Sequence, residues 1–138
     1  MSEPPLETRL EQHMAVVGQV IAKFVSEGLS SQAIDTGAPE AFLGSPVDPR
    51  TFEAVINWML DEGILRGKQR IETFDGRLRL NGVQLTSKGL AIVQQPLPSG
   101  DNIAKRVQSN SGNGAFWSNI GELVGSIAGS FTKSVGSG

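Results

Sequence analysis

The side chains that could perform acid–base or nucleophilic chemistry are few, and their spacing does not bring them together. His13 is the only histidine, and helical spacing places it beside Leu10 and Val17 on an apolar side, which favours a structural role. No serine, cysteine or aspartate pair accompanies it to complete a nucleophile–base–orienter set. The pair Asp61-Glu62 falls at a helix end, where solvation explains it. We therefore expect no catalytic residue and no enzyme activity.

The ligand chemistry of the chain is equally limited. It has no cysteine, which excludes disulfides, thiolate metal sites and a cysteine nucleophile. One histidine and scattered carboxylates lack the spacing of metal ligands. No glycine-rich loop that could hold a phosphate follows a predicted strand. We expect no metal and no cofactor.

Basic side chains concentrate between residues 66 and 88 and favour a binding function. Glu72 and Asp75 are the only acidic residues in this segment. A basic hairpin is suited to phosphate contacts or to a minor groove, although a solvated face of a small antiparallel pair explains the same charges. The basic residues are Arg66, Lys68, Arg70, Arg77, Arg79 and Lys88.

The helix predicted over Asp48–Glu62 is less suited to nucleic acid. It offers Arg50, Thr51 and Asn57 as readers of base edges, whereas specific base contacts usually come from bidentate Arg, Asn or Gln side chains. Its acidic residues, which the phosphate backbone would repel, are Asp48, Glu53, Asp61 and Glu62. Trp58 lies off the main apolar stripe, which is typical of an anchor for a partner protein or of packing against another helix.

A second signal lies in the C-terminal segment, residues 115–138. Three glycines recur at every fourth position, which lets another helix approach closely, and each costs about 1 kcal/mol relative to alanine in a helix. Such a helix therefore needs a partner: another copy, a groove of its own domain, or a lipid interface, unless the segment is a disordered Gly/Ser tail. The residues expected to make helix or lipid contacts are Phe116, Trp117, Ile120, Gly121, Leu123, Val124, Gly125, Ile127, Gly129 and Phe131.

The elements that would position these residues follow from periodicity and from helix and turn signals. An apolar stripe predicts a first helix from Leu6 to about Glu27, and glycines bracket a short helix within residues 37–44. Asp48 is a favourable N-cap for the next helix, with Pro49 as its first residue. Two strands, 70–74 and 77–85, flank Asp75-Gly76, and Asn81-Gly82 indicates a bulge or second turn. Thr86 would cap a helix that reaches about Gln95.

This order of helix, glycine stop at Gly63, hairpin and Thr-capped helix resembles the second half of a winged helix-turn-helix domain. The resemblance covers roughly residues 6–95. It implies an α+β, mainly α fold of three helices, a β-hairpin wing and a following helix. The helix over Asp48–Glu62 would then occupy the recognition position. Winged helices bind DNA, RNA or proteins, so the resemblance implies a binding function of one of these kinds.

The chain divides into a winged-helix domain at residues 1–95, a flexible Pro/Gly/Ser/Asn-rich linker at 96–114 and an amphipathic helix at 115–138. A net charge of −2 gives the whole molecule no attraction to nucleic acid. Residues 1–5 lack the apolar run of a secretory signal, and no stretch of about 20 apolar residues predicts a transmembrane helix. A cytoplasmic location is expected.

Three functional hypotheses follow. The first is a non-enzymatic winged-helix module that acts through protein contacts and self-association, as a homo-oligomer or within a larger assembly. The second is a DNA-binding transcriptional regulator that uses the basic hairpin together with Arg50, Thr51 and Asn57. The third is a membrane-active effector whose residues 115–135 meet a lipid surface.

Overall fold

The computed structural model describes residues 6–109 and 114–136, with side chains for 9–109 and 114–131. Over these residues the fold is α+β and mainly helical. The helices are α1 (Leu6–Glu27), α2 (Pro39–Leu43), α3 (Pro49–Asp61), α4 (Ser87–Gln94), α5 (Ile103–Ser109) and α6 (Gly114–Gly136). The strands are β1 (Gln32–Asp35), β2 (Leu65–Arg66), β3 (Gln69–Glu72) and β4 (Leu78–Leu85).

Helix α1 is the central support of the core. Its bounds agree with the sequence prediction, and its apolar stripe is buried at Val17, Val20, Ile21 and Phe24. It contacts α3 and α5, and most extensively α6. Leu10 of the same stripe differs, since 55% of it is exposed, and the side chain of Leu6 lies outside the described residues.

Helix α3 begins as its sequence predicts. The Asp48 side chain accepts a hydrogen bond from the Thr51 N–H at 3.1 Å, and Pro49 is the first helical residue. This cap satisfies one of the N–H groups that a helix start leaves unpaired. The buried face of α3 comprises Phe52, Val55, Ile56 and Met59.

The sheet is antiparallel and centres on β4. Strand β1 pairs with one edge of β4, and β2 and β3 pair with it separately, β2 near Leu85 and β3 nearer Leu78. Between the pairs Gln32↔Val83 and Ile34↔Leu80, β4 contains one extra residue. Gly82, at φ 67°, lies in that interval, so the bulge that the sequence indicated is present.

The bulge decides which side chains of β4 enter the core. Because it inserts one residue, the inward positions change from even to odd numbers along the strand. Leu78, Leu80, Val83 and Leu85 are all buried as a result. Strands β1 and β2 were not predicted, because four and two residues are too short for a clear alternation.

The segment expected to be a flexible linker contains a helix, so that prediction is wrong for residues 103–109. Asn102 caps α5 by accepting a hydrogen bond from the Lys105 N–H at 2.8 Å. Ile103 and Val107 are buried, and Arg106 pairs with Asp101 at 2.9 Å. Residues 110–113 of the expected linker lie outside the described residues.

Helix α6 packs antiparallel against α1, with glycines at the closest approach. A Cβ atom at Gly121 would lie 1.9 Å from the Met14 carbonyl oxygen, and one at Gly18 would lie 2.3 Å from the Trp117 carbonyl oxygen. Neither glycine can therefore carry a side chain in this arrangement. The sequence left the packing partner of α6 open. In the structure that partner is α1 of the same chain.

Candidate functional site

The most exposed large apolar side chain of the described residues lies at the end of the β3–β4 hairpin. Phe74 is fully exposed, and 47% of Ile71, three residues before it, is exposed. We define the hairpin tip as residues 73–77. Most buried phenylalanines of this chain, by contrast, contact one another: Phe42 lies between Phe24 and Phe52, with ring centroids 5.6 and 6.2 Å apart.

The backbone of the hairpin tip is held by short-range hydrogen bonds. The Thr73 N–H donates to the Arg77 carbonyl at 2.9 Å, and the Gly76 N–H donates to the Thr73 carbonyl at 3.0 Å. Gly76, at φ 80°, supplies the left-handed conformation that closes the loop. The tip therefore holds the backbone of Phe74 in a defined conformation while its ring stays in water.

Charged and hydroxyl side chains brace the same turn. The Arg77 N–H donates to the Thr73 hydroxyl oxygen at 3.1 Å, and Arg77 Nε lies 3.0 Å from Asp75 Oδ2. The Thr73 hydroxyl donates to the Asp75 carboxylate, which is the largest cause lowering the pKa of Asp75 below its ordinary value; the charge of Arg77 lowers it further.

Sequence reasoning did not select Phe74, because it assigned the residue to the end of a strand. In the structure the strand ends at Glu72, and Phe74 belongs to the turn. The signal that could have identified it is the three-residue loop ending in glycine, Phe74-Asp75-Gly76, which is a common hairpin connection. A phenylalanine inside such a loop has no core to face.

Three of the six basic residues of segment 66–88 are engaged by the chain itself. Arg77 pairs with Asp75, and its side chain also lies across Gly37. Arg79 Nε lies 4.0 Å from Asp35 Oδ2. Lys88 donates to the Glu62 carbonyl at 2.8 Å, a favourable position for a cation near the C-terminus of α3. These contacts reduce the positive charge that remains for an external partner.

The other three basic residues stay exposed without a carboxylate partner among the described residues. Arg66 has only the neutral Gln84 Oε1 at 3.5 Å. The aliphatic part of Lys68 packs over Gly82, within 3.0 Å of a Cβ built there. Arg70 is exposed on β3, opposite Leu80. The hairpin therefore retains Arg70 as a free cation, and Arg66 and Lys68 precede it, whereas Glu72 next to the tip is an exposed acid.

The residues expected to read bases on α3 are not equivalent in the structure. Arg50 is exposed at the start of the helix, and Asn57 is half-buried. The Thr51 hydroxyl donates to Asp48 Oδ2 at 3.3 Å and so belongs to the helix cap. Only one exposed cation thus lies on α3, which offers little attraction to a phosphate backbone.

Trp58 forms part of an apolar cleft between α1 and α3. The cleft has a volume of about 190 Å³. We call it the α1–α3 cleft and define it by Leu10, His13, Met14, Val17, Ala54, Val55 and Trp58. Trp58 is half-buried and packs against the core, and Ala54 is exposed.

Acidic side chains lie around this cleft. Leu10 and Met14 also line a neighbouring cavity whose walls include Glu11 and Glu122. Asp61 is exposed one helical turn after Trp58 on α3. Arg50 is one turn before Ala54, so Arg50 and Asp61 lie at opposite ends of the cleft on α3.

The residues expected to make helix or lipid contacts on α6 fall into two groups. Ile120, Gly121, Val124 and Ile127 are buried in the chain's own core. Phe116, Trp117, Leu123 and Phe131 are partly buried against it. Gly125 and Gly129 have open space where a Cβ atom would be. The side chains of Lys133 and Val135 lie outside the described residues.

A polar cavity of about 310 Å³ lies between α1, β1 and α2. Its charged residues pair locally: Asp35 with Arg79 at 4.0 Å, and Lys23 with Glu27 at 3.4 Å. The described residues contain no cluster of three or more His, Asp or Glu side chains that could hold a metal. The cavity shows no catalytic arrangement.

Comparison of the chain with protein-family models, with curated proteins and with solved structures gives no match. Across the described residues, none of the helices has both the length and the apolar character needed to cross a bilayer. The geometry of the hairpin tip and of the α1–α3 cleft is therefore the basis for a functional proposal.

Proposed function

We propose that this chain is a non-enzymatic interaction module with a winged-helix core, and that it binds a polypeptide through the hairpin tip. The element order α1–β1–α2–α3–β2 followed by the β3–β4 hairpin supports the winged-helix assignment, as does the position of β4 between β1 and β2. In that architecture the β3–β4 hairpin is the wing.

The observation that carries this proposal is the exposure of Phe74 on a turn whose backbone is fixed. Burying a phenylalanine side chain contributes roughly 1.5–3 kcal/mol relative to leaving it in water. A partner that covers Phe74 gains this contribution and loses little backbone entropy, because the turn is already ordered. Aromatic anchors surrounded by polar groups are typical of protein-binding surfaces.

A polypeptide partner fits the charges better than a nucleic acid. Three of the six basic residues of segment 66–88 are engaged within the chain, and the exposed residues of α3 include only one cation. Nucleic-acid affinity depends on the number of phosphates that free cations neutralise. The apolar tip contributes to a protein contact whatever the salt concentration.

Photo-cross-linking tests the proposal. A photoreactive phenylalanine analogue replaces Phe74 in the full chain. Cells that produce this variant are irradiated, and the cross-linked adducts are identified by mass spectrometry. Leu29, of which 64% is exposed, receives the same analogue as the matched control. We expect polypeptide adducts at position 74 and few at position 29. Adducts with nucleic acid alone, or equal yields at both positions, would contradict the proposal.

Duplex DNA binding is a second candidate, because Arg70 on the wing and Lys68 just before it are exposed and have no carboxylate partner within the part of the chain that the structure describes. Fluorescence anisotropy with a labelled duplex at low salt tests it. If DNA is the ligand, Lys68→Ala and Arg70→Ala should each reduce the dependence of log K on log salt by about 1. Lys105→Ala, an exposed lysine on α5, is the control. Absence of duplex binding at low salt removes this candidate.

A further inference from the structure

We infer that the phenyl ring of Phe74 inserts into the α1–α3 cleft of a second copy of this chain, so that tip and cleft make a head-to-tail contact. This inference rests on the proposed function, because it names the polypeptide that the hairpin tip binds. Three observations support it: the size of the cleft, the nature of its walls and the charges around both surfaces.

The cleft has room for the ring. Its volume is about 190 Å³, and an apolar protein cavity of about 150 Å³ accommodates benzene. His13 is the only polar residue in its lining. Ala54 on one wall is small and exposed.

The cleft is not filled by the hairpin of the same chain, because Phe74 is fully exposed. Both surfaces leave apolar groups in water: Phe74 on the tip, and Leu10, 55% exposed, at the cleft. A single contact between two copies of the chain covers both Phe74 and Leu10. Self-docking thus accounts for the two exposed apolar surfaces together.

The charges of the two surfaces are complementary. Arg70 on β3, and Arg66 and Lys68, which precede the hairpin, are exposed without a carboxylate partner among the described residues, and they outnumber Glu72, the exposed acid between Arg70 and the tip. Near the cleft three exposed acids, Glu11, Asp61 and Glu122, outnumber the two exposed cations Arg9 and Arg50. A hairpin that brings its tip to the cleft brings Arg70 toward these carboxylates, and such pairing sets the orientation and speeds association.

Mixing two variants tests the head-to-tail contact. Phe74→Ser removes the tip anchor and keeps the cleft, whereas Ala54→Arg blocks the cleft and keeps the tip. Both positions are exposed, so the fold of the single chain should be retained, which circular dichroism and thermal unfolding check. Leu29→Ser and Ala91→Arg place the same residues at other exposed positions and serve as matched controls.

Sedimentation velocity over a concentration series is the measurement. We expect the unmodified chain and both controls to associate, and each test variant alone to associate about tenfold more weakly or worse, a loss of about 1.4 kcal/mol. An equimolar mixture of Phe74→Ser and Ala54→Arg should form a heterodimer, because one intact tip then meets one intact cleft. Absence of that heterodimer would overturn the inference.

The outcomes separate this inference from the proposed function. If the unmodified chain is monomeric but position 74 cross-links to a different polypeptide, self-docking is wrong and the proposed function stands. If the chain is monomeric and position 74 gives no polypeptide adduct, both are wrong. Association that persists in Phe74→Ser and Ala54→Arg equally would place the interface elsewhere.

Discussion

At the scale of single residues, the side chains next to Phe74 decide how it is presented. Thr73 joins the two sides of the loop through its backbone and its hydroxyl group. Asp75 accepts from Thr73 and pairs with Arg77. These contacts lie within five residues, so the turn is ordered without help from the core. An anchor displayed in this way needs little reorganisation when it binds.

The pKa of Asp75 reports these contacts. It lies below the ordinary 3.8, first because of the Thr73 hydroxyl. The carboxylate therefore favours the folded turn above the unfolded-state pKa, and this contribution is lost as the pH falls through the folded-state pKa. Thr73→Val removes the main cause, so the titration midpoint of Asp75 should rise toward 3.8 in carboxyl ¹³C NMR.

Asp101 provides an internal control for that titration. Its pKa is also lowered, mainly by the hydrogen bond from Arg106 and then by that from Ser99, and neither donor is part of the hairpin tip. Its midpoint should not move in Thr73→Val. An unchanged Asp75 midpoint in the variant would show that Thr73 does not hold the carboxylate.

Some single residues were predictable from the sequence, and others were not. Asp48 and Thr86 were identified as caps, because their backbone hydrogen bonds are local. Gly82 was identified as part of a break in the strand for the same reason. Gly18 was not selected, because its close contact is with Trp117, almost a hundred residues away. Its only sequence signal is a glycine inside a helical pattern.

At the scale of elements, the α1–α6 packing explains why this glycine-rich helix is stable. Three glycines weaken an isolated helix, and the apolar contact with α1 offsets that cost. Only Gly121 lies at the closest approach, whereas Gly125 and Gly129 have no neighbour where a Cβ atom would be. The sequence predicted that the helix needs a partner but could not select which.

Substitution of two of these glycines separates packing from helix propensity. Gly121→Ala places a Cβ atom against the Met14 carbonyl oxygen, and overpacking of this kind costs about 1–3 kcal/mol. Gly129→Ala meets no atom of the described residues within 4 Å and should stabilise the helix by up to about 1 kcal/mol. Urea unfolding of the full chain measures both. Equal effects of the two substitutions would contradict the packing of α6 on α1.

Helix α5 was missed because its signal is short. Within its seven residues, only Ile103 and Val107 are buried, and their spacing of four is too little periodicity to distinguish a helix from a polar linker. Its order comes from long-range contact with α1 and from the local pairing of Arg106 with Asp101. Neither is evident from composition.

Truncation of one side chain tests whether α5 belongs to the core. Ile103 is fully buried, so Ile103→Ala should lower the free energy of unfolding by about 2–5 kcal/mol. Lys105→Ala, on the exposed side of the same helix, should have little effect. A loss below about 0.5 kcal/mol for Ile103→Ala, the size of an ordinary surface substitution, would mean that α5 is not part of the packed structure.

At the scale of the whole molecule, the charges are separated although the net charge is only −2. Exposed cations outnumber exposed acids from β2 to β3, and exposed acids outnumber exposed cations around the α1–α3 cleft. The sequence located the basic segment and the acidic helix, but it could not place Glu122 beside Leu10, because that proximity depends on how α6 docks. The sequence also predicted the helices and the hairpin, but it did not predict the cleft between α1 and α3.

Charge separation makes the salt dependence of self-association informative. Raising the salt from about 0.05 M to about 0.5 M shortens the screening length to a few ångströms, so we expect the contact to weaken by about threefold or more. The concentration series is repeated at each salt. A contact that became tighter with salt would be purely apolar and would contradict the pairing of hairpin and cleft charges.

The most direct test of the proposed contact observes the cleft itself. The chain has two tryptophans, so ¹⁵N-labelled Phe74→Ser gives two indole N–H signals: Trp58 in the cleft and Trp117 on α6. When unlabelled Ala54→Arg is added, we expect the Trp58 signal to shift progressively and the Trp117 signal to remain in place. If neither signal moves at millimolar concentrations, or if only Trp117 moves, Phe74 does not bind in the α1–α3 cleft.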